Sequence, residues 1–165
     1  MIPGDSMSVV KAGEMPALRI RRATAADISA MIAIETHAST AAHWSIEQYR
    51  SVLSSAEPPR VALVIEAQSD VQGFIIGRVQ DHEWEIENIV VAEVACRRGL
   101  GDMLLGGLLD LARDRGAKSV FLEVRESNLA ARSLYGKHSF AEVGRRKQYY
   151  REPSEDAVLY RLEVS

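Results

Sequence analysis

One cysteine, Cys96, stands alone in 165 residues, so no internal disulfide can form. A disulfide framework of the kind that staples small secreted domains is excluded. No apolar run approaches the roughly 20 residues that cross a bilayer as a helix. Residues 1–16 lack the apolar centre of a secretory signal. These absences favour the cytoplasm. The four histidines, at 37, 43, 82 and 138, are scattered without ligand spacing, so no metal is expected. Positive charge is not in excess: 20 Lys and Arg against 23 Asp and Glu leave −3. A nucleic-acid partner calls for a basic face, and none is indicated. There is no repeat and no low-complexity run. The length suits one domain, read here as residues 17–165 after a leader over 1–16, with Met7 or Met15 as alternative starts.

What is present is a regular succession of elements. Residues 17–23 alternate around Leu18 and Ile20 and predict a strand. Thr24-Ala-Ala-Asp27 resembles a capping box with Asp in the place of Glu, and opens a helix to about residue 38. Ser45 and Gln48 open a second helix to about residue 54, before Pro58-Pro59 breaks the chain. Residues 60–66 and 72–80 read as strands joined by a turn at Ser69-Asp70, and 83–91 as another. From 99 to 115 the spacing turns helical, with Leu100, Leu104, Leu108 and Leu111 on one face, until Gly116 stops it. A short strand over 119–124, a helix from an Asn128 cap to about 138, and strands over 140–150 and 157–163 complete the chain. The order β-α-α-β-β-β-α-β-α-β-β predicts a mixed α/β layer.

The segment from Asn88 to Asp102 is the most informative. An apolar strand runs into a basic loop containing Arg97, Arg98, Gly99 and Gly101, and that loop opens a helix. Backbone N–H groups at a helix start lack partners and carry partial positive charge. Glycine lets a ligand approach the backbone closely. The combination suits phosphate. It also suits a capped helix with two turn glycines and no ligand. A dinucleotide loop of Rossmann type is the other functional reading, with Glu123 as its ribose acid. That fingerprint needs a third glycine where Leu104 stands, and a tighter turn than the run from Val91 to Gly99.

Arg97-Arg-Gly-Leu-Gly101 resembles the pyrophosphate loop of the Gcn5-related N-acetyltransferases (GNAT superfamily), and the likeness extends over about residues 18–164. Within that superfamily the chain is most similar to the ribosomal-protein alanine N-acetyltransferases of the RimI type. His43-Trp-Ser45, Asn88-Ile-Val-Val91, Leu122-Glu-Val-Arg-Glu-Ser-Asn128, Ser133-Leu-Tyr135 and Arg145-Arg-Lys-Gln-Tyr-Tyr150 with Glu155-Asp-Ala157 carry this likeness. The resemblance implies a mixed, mostly antiparallel central sheet with helices on both faces. It implies acetyl-CoA as co-substrate, and as acceptor a protein N-terminal α-amine, such as the first alanine of a ribosomal protein. Neither nucleic acid nor membrane is an expected partner. A small-molecule amine or lysine acetyltransferase on the same fold is an alternative, as is a non-catalytic acyl-CoA-binding domain. Three features depart from the pattern: Cys96 begins the loop where Gln or Arg is usual, Ser139 replaces a glycine after the last helix, and the pair Gly106-Gly107 interrupts the loop helix.

Acetyl transfer needs a neutral amine, donors for the developing oxyanion and an acid for the departing thiolate. By the resemblance, Glu123 is the general base; from the residues alone it is also a strand glutamate facing solvent or paired with Arg125. Glu85, on the preceding strand, is the rival base, and Glu87 a weaker one. Tyr135 matches the acid, and reads equally as a core tyrosine. Asn128 matches a cofactor contact and can cap its helix as well. Ile89, Val90 and Val91 should offer backbone groups to the cofactor arm where two strands splay. Arg97, Arg98, Gly99, Leu100, Gly101 and Asp102 form the phosphate loop. Tyr149 and Tyr150 match residues lining an acceptor groove, or cover a strand end. Arg145-Arg-Lys147 reads as a solvated face, and Trp44 as packing beneath the acceptor site.

Overall fold

The computed structural model describes residues 17–38, 43–54, 57–95 and 98–164; the expected leader, Cys96 and Arg97 lie outside the described residues. In chain order the elements are β1 (Leu18–Arg22), α1 (Ile28–Thr36), α2 (Ile46–Leu53), β2 (Arg60–Ala67), β3 (Asp70–Gln80), β4 (Glu83–Val91), α3 (Leu100–Asp114), β5 (Ser119–Arg125), α4 (Leu129–Lys137), β6 (Ala141–Tyr150) and β7 (Glu155–Glu163). Each is an element that the hydrophobic periodicity anticipates. The β2–β3 turn falls one residue early, at Gln68-Ser69, where both residues adopt positive φ (51° and 71°). Such a turn matches the twist of its strands.

The seven strands form one sheet in the order β1-β2-β3-β4-β5-β7-β6. All neighbours are antiparallel except β4 and β5. That parallel pair is short: Glu83–Ile86 aligns with Ser119–Leu122 and the pairing then ends, although β4 stays on β3 as far as Val91. The two strands splay beyond that point. A bulge in β4 accompanies the splay, for Gly77 faces Ile86 while Ile76 faces Asn88, leaving Glu87 as the extra residue. A bulge reverses the inside-outside alternation of its strand. Accordingly Trp84 and Ile86 join the core beneath α3 and α4, whereas Val90 joins the opposite core beneath α1 and α2.

Two acidic side chains brace the α1–α2 layer. Asp27 is buried; it accepts the Thr24 N–H at 2.8 Å and two Arg21 bonds at 2.8 and 2.9 Å, tying β1 to the start of α1. Buried Glu35 accepts the Trp44 N–H at 2.7 Å and the Tyr49 hydroxyl, joining α1 to α2. Trp44 packs on Tyr49 with ring centroids 5.7 Å apart. On the other face, α3 lies close over β3 because Gly73 and Gly77 leave room for it. A Cβ on Gly73 would fall 3.3 Å from Leu104 Cδ1, and one on Gly77 would fall 3.3 Å from both Leu108 methyls. No helix of the described residues is long and apolar enough to cross a membrane.

Ser139 keeps the helix end that a glycine usually makes. It adopts φ 69°. Its N–H donates to Gly136 O at 3.0 Å, and the Phe140 N–H donates to Tyr135 O at 3.0 Å. These are the two bonds of a Schellman motif. The accompanying apolar contact is Phe140 against Tyr135, 5.7 Å between centroids.

Candidate active site

The splay of β4 from β5 opens two hollows that share Ile89 in their walls. The larger, about 690 Å³, is a groove between the end of β4, the N-terminus of α3 and α4. Ile89, Val90 and Val91 line one wall, Gly99, Leu100, Gly101 and Asp102 its end, and Ala131, Ser133 and Leu134 the other wall. Gly99 caps α3 with φ 76°, a left-handed conformation that costs a residue with a Cβ about 1–2 kcal/mol. With Gly99 there, the first turn of α3 points its backbone N–H groups into the groove end. A Cβ on Gly101 would stand 3.4 Å from Leu134 Cδ2 and 3.9 Å from Val91 Cγ2; the glycine keeps the groove open between those walls. Strand edge, apolar walls and helix N-terminus together match the amide arm and the pyrophosphate of a coenzyme A thioester.

The second hollow, about 370 Å³, is lined by Glu87, Asn88, Ile89, Glu123, Arg125, Tyr135, Tyr150 and His43, among others. Tyr135 is buried, with its ring 5.7 Å from Phe140 and 6.0 Å from Tyr160. Burial, and next the nearby Tyr150, push its phenol well above the ordinary tyrosine range, so it holds its proton at neutral pH. No hydrogen bond to its hydroxyl comes from the described residues. Glu123 is mostly buried, at 19% exposure, and pairs with Arg146 Nε of β6 at 2.9 Å. Arg125, the partner expected from its position in the sequence, turns instead to Glu155 at 3.5 Å and lies 4.3 Å over the Tyr150 ring.

The rival bases separate by position. Glu85 pairs with Arg78 Nη2 at 2.5 Å and does not line the cavity. Burial raises its pKa, against the pull of Arg78. Glu87 does line the cavity, carried there by the bulge, and pairs with Arg60 Nε at 2.9 Å. Asn88, next to it, is buried, and its Nδ2 has no hydrogen-bond partner among the described residues. The sequence reading missed the bulge at Glu87 and Asn88, whose signal is the break in alternation at these two consecutive polar residues; no local signal marks the partnership of Glu123 with Arg146.

The remaining candidates divide. Asp102 reaches the groove, but its carboxylate is held by His138 at 2.5 Å and Lys137 at 3.3 Å. The hydrogen bond to His138 above all, and then Lys137, keep it below the usual carboxylate range. Its side chain ties the start of α3 to the end of α4. Asn128 caps α4, accepting the Ala131 N–H at 3.1 Å, and is not on the wall of either hollow. Arg98 faces a separate hollow of about 160 Å³ beside Asp70 and Gln72. Tyr150 lines the smaller cavity; Tyr149 stacks on it edge-on at 5.2 Å and is half exposed. Among the described residues no group of three or more His, Cys, Asp or Glu is placed to hold a metal ion.

Known proteins are similar to this chain in sequence and in fold. The [ribosomal protein bS18]-alanine N-acetyltransferase of Salmonella typhimurium is 39% identical over 105 residues, which cover 62% of this chain and 71% of that protein. The N-alpha-acetyltransferase RimI of Mycobacterium tuberculosis is 42% identical over 86 residues, which cover 52% of each. The crystal structure of the ribosomal-protein-S18-alanine N-acetyltransferase from Escherichia coli superposes with a TM-score of 0.81 at 30% identity, covering 90% of this chain and 95% of that one. Residues 28–140, from the first turn of α1 to the buried Phe140, match the family model described as the acetyltransferase (GNAT) family; with its groove for a coenzyme A thioester, the chain belongs to that family of acetyl-CoA-dependent N-acetyltransferases.

Proposed function

We propose that the protein, as a single cytoplasmic domain over residues 17–165, moves the acetyl group of acetyl-CoA to a protein N-terminal α-amine, with the first alanine of ribosomal protein bS18 as acceptor. The observation that carries this is that Ile89 stands in the wall of both hollows. A thioester lying along β4 from the α3 loop presents its carbonyl at that residue, and the second hollow opens onto it with Glu123 and Tyr135 in its wall. The neutral amine attacks the thioester carbonyl carbon, Glu123 takes the proton that nitrogen sheds as the C–N bond forms, and the C–S bond breaks. Tyr135, which holds its proton, gives it to the departing thiolate. The backbone of Ile89, Val90 and Val91 aligns the arm, the turn at Gly99, Leu100 and Gly101 binds pyrophosphate, and Tyr149 and Tyr150 wall the acceptor peptide. The names of the relatives support this acceptor.

The test compares three acceptors under one set of conditions: a peptide beginning with the bS18 alanine, the same peptide N-terminally blocked with an internal lysine free, and spermidine. The alanine peptide should lead by more than tenfold in kcat/KM, about 1.4 kcal/mol of differential transition-state binding. Faster turnover of the lysine peptide or of spermidine would overturn the terminal-amine reading.

A further inference from the structure

The acceptor cavity is dense in charge and yet balanced. Its two lining carboxylates are each matched by a guanidinium from another strand: Glu87 by Arg60 of β2 at 2.9 Å, and Glu123 by Arg146 of β6 at 2.9 Å. Its lining guanidinium, Arg125, is matched by Glu155 of β7 at 3.5 Å. Glu85, close by on β4, is matched by Arg78 of β3 at 2.5 Å. The other titratable groups on the wall are His43, which is exposed, and the phenols of Tyr135 and Tyr150. Arg146 is the least anchored member of these pairs: its side chain is 56% exposed on the edge strand and leans toward the Tyr149 ring at 5.5 Å.

We propose that Arg146 is a specificity residue, which neutralises Glu123 so that the acceptor cavity gives an ammonium ion no net attraction. The reasoning rests on the reading of this cavity as the acceptor site and of Glu123 as its base. A half-buried carboxylate without a partner attracts any cation that reaches it. Lysine side chains, with pKa about 10.4, and polyamines are ammonium ions at neutral pH and bind such a carboxylate as unreactive ligands. An α-amine, with pKa about 8, is neutral in roughly one molecule in ten at pH 7. A balanced cavity therefore binds its acceptor through shape and backbone contacts rather than charge, and leaves the more basic amines unbound.

Two binding measurements on the CoA-bound protein test this. The first uses an alanyl peptide and its lactyl isostere, whose hydroxyl replaces the amine, at pH 6, where the alanyl peptide is an ammonium. Calorimetry should find the two within about threefold of one another in the wild type. In Arg146→Met the alanyl peptide should gain more than tenfold over the lactyl peptide, while Arg146→Lys, which keeps the charge, should behave as the wild type. The second measures inhibition by spermidine, whose Ki should fall more than tenfold in Arg146→Met alone. A wild-type preference for the ammonium above tenfold, or an unchanged ratio in Arg146→Met, overturns the proposal. Glu123→Gln turnover reads the base assignment separately: full activity there removes Glu123 as base, whatever the binding ratios give. The exposed position of Arg146 on an edge strand makes its variants tolerable to the fold, and circular dichroism of each should match the wild type.

Discussion

Tyr135 and Glu123 face one cavity by different routes, and this lets their variants be read separately. The Tyr135 ring is held by Phe140 and Tyr160, so Tyr135→Phe keeps the packing and removes only the hydroxyl. Turnover should fall by about 10²-fold or more, the ordinary worth of a general acid, with the denaturant midpoint nearly unchanged. Equal turnover would return Tyr135 to the core. Glu123→Gln should lower kcat by about 10²–10⁴ while stability moves by no more than about 0.5 kcal/mol, because its partner Arg146 is solvent-exposed. Glu85→Gln, off the cavity wall, should leave kcat within a few-fold; the reverse pattern in the two variants would transfer the base to β4. Both residues could be singled out from the sequence, since each stands in a motif. The partners that set their chemistry could not, for Arg146 and Tyr150 reach the site from another strand.

At the level of elements, the ends of α3 and α4 decide whether the groove is formed. Ser139 occupies a left-handed position that suits glycine better by roughly 1 kcal/mol. Ser139→Gly should therefore raise stability by about that amount, read as a higher urea midpoint at unchanged slope. A lower midpoint would show that the serine earns its place through a contact of its own. Gly101→Val should raise the Kd for acetyl-CoA more than tenfold by calorimetry, since its added methyls enter the space between Val91 and Leu134; unchanged affinity would place the arm elsewhere. Strands and helices were legible because the apolar period changes from two to 3.6 at their boundaries. The bulge at Glu87 was not, because a bulge is defined against the neighbouring strand; the alternation of β4 breaks at Glu87-Asn88, but two polar residues in succession do not by themselves show that the partner strand skips one of them.

At the scale of the molecule, the acid limb of stability depends on carboxylates such as Asp27, which joins the first strand to the first helix. Arg21, through its hydrogen bond above all, holds the folded carboxyl below its usual range. A depressed folded pKa contributes stability that is present above the unfolded value of about 3.9 and is lost as pH falls through the lower folded value. The urea midpoint of the wild type should accordingly fall from about pH 4 downward. Asp27→Asn should be less stable at pH 7 but show a flatter slope in that acid window. An identical slope in both proteins would remove Asp27 from the acid transition.

The residues alone determined which segments become strands and helices and where the glycine loop enters a helix, because period and capping are local properties of the chain; the acids, tyrosines and asparagine that carry candidate chemistry were singled out by the resemblance to a known family. Only the tertiary structure decided that β4 and β5 separate after Ile86 and Leu122, that Glu87 and not Glu85 shares the cavity with Glu123, and that each of those carboxylates meets an arginine from another strand. Those outcomes follow from the order and register of strands far apart in the sequence. A shift of one residue in that register would turn the same side chains to the opposite face of the sheet.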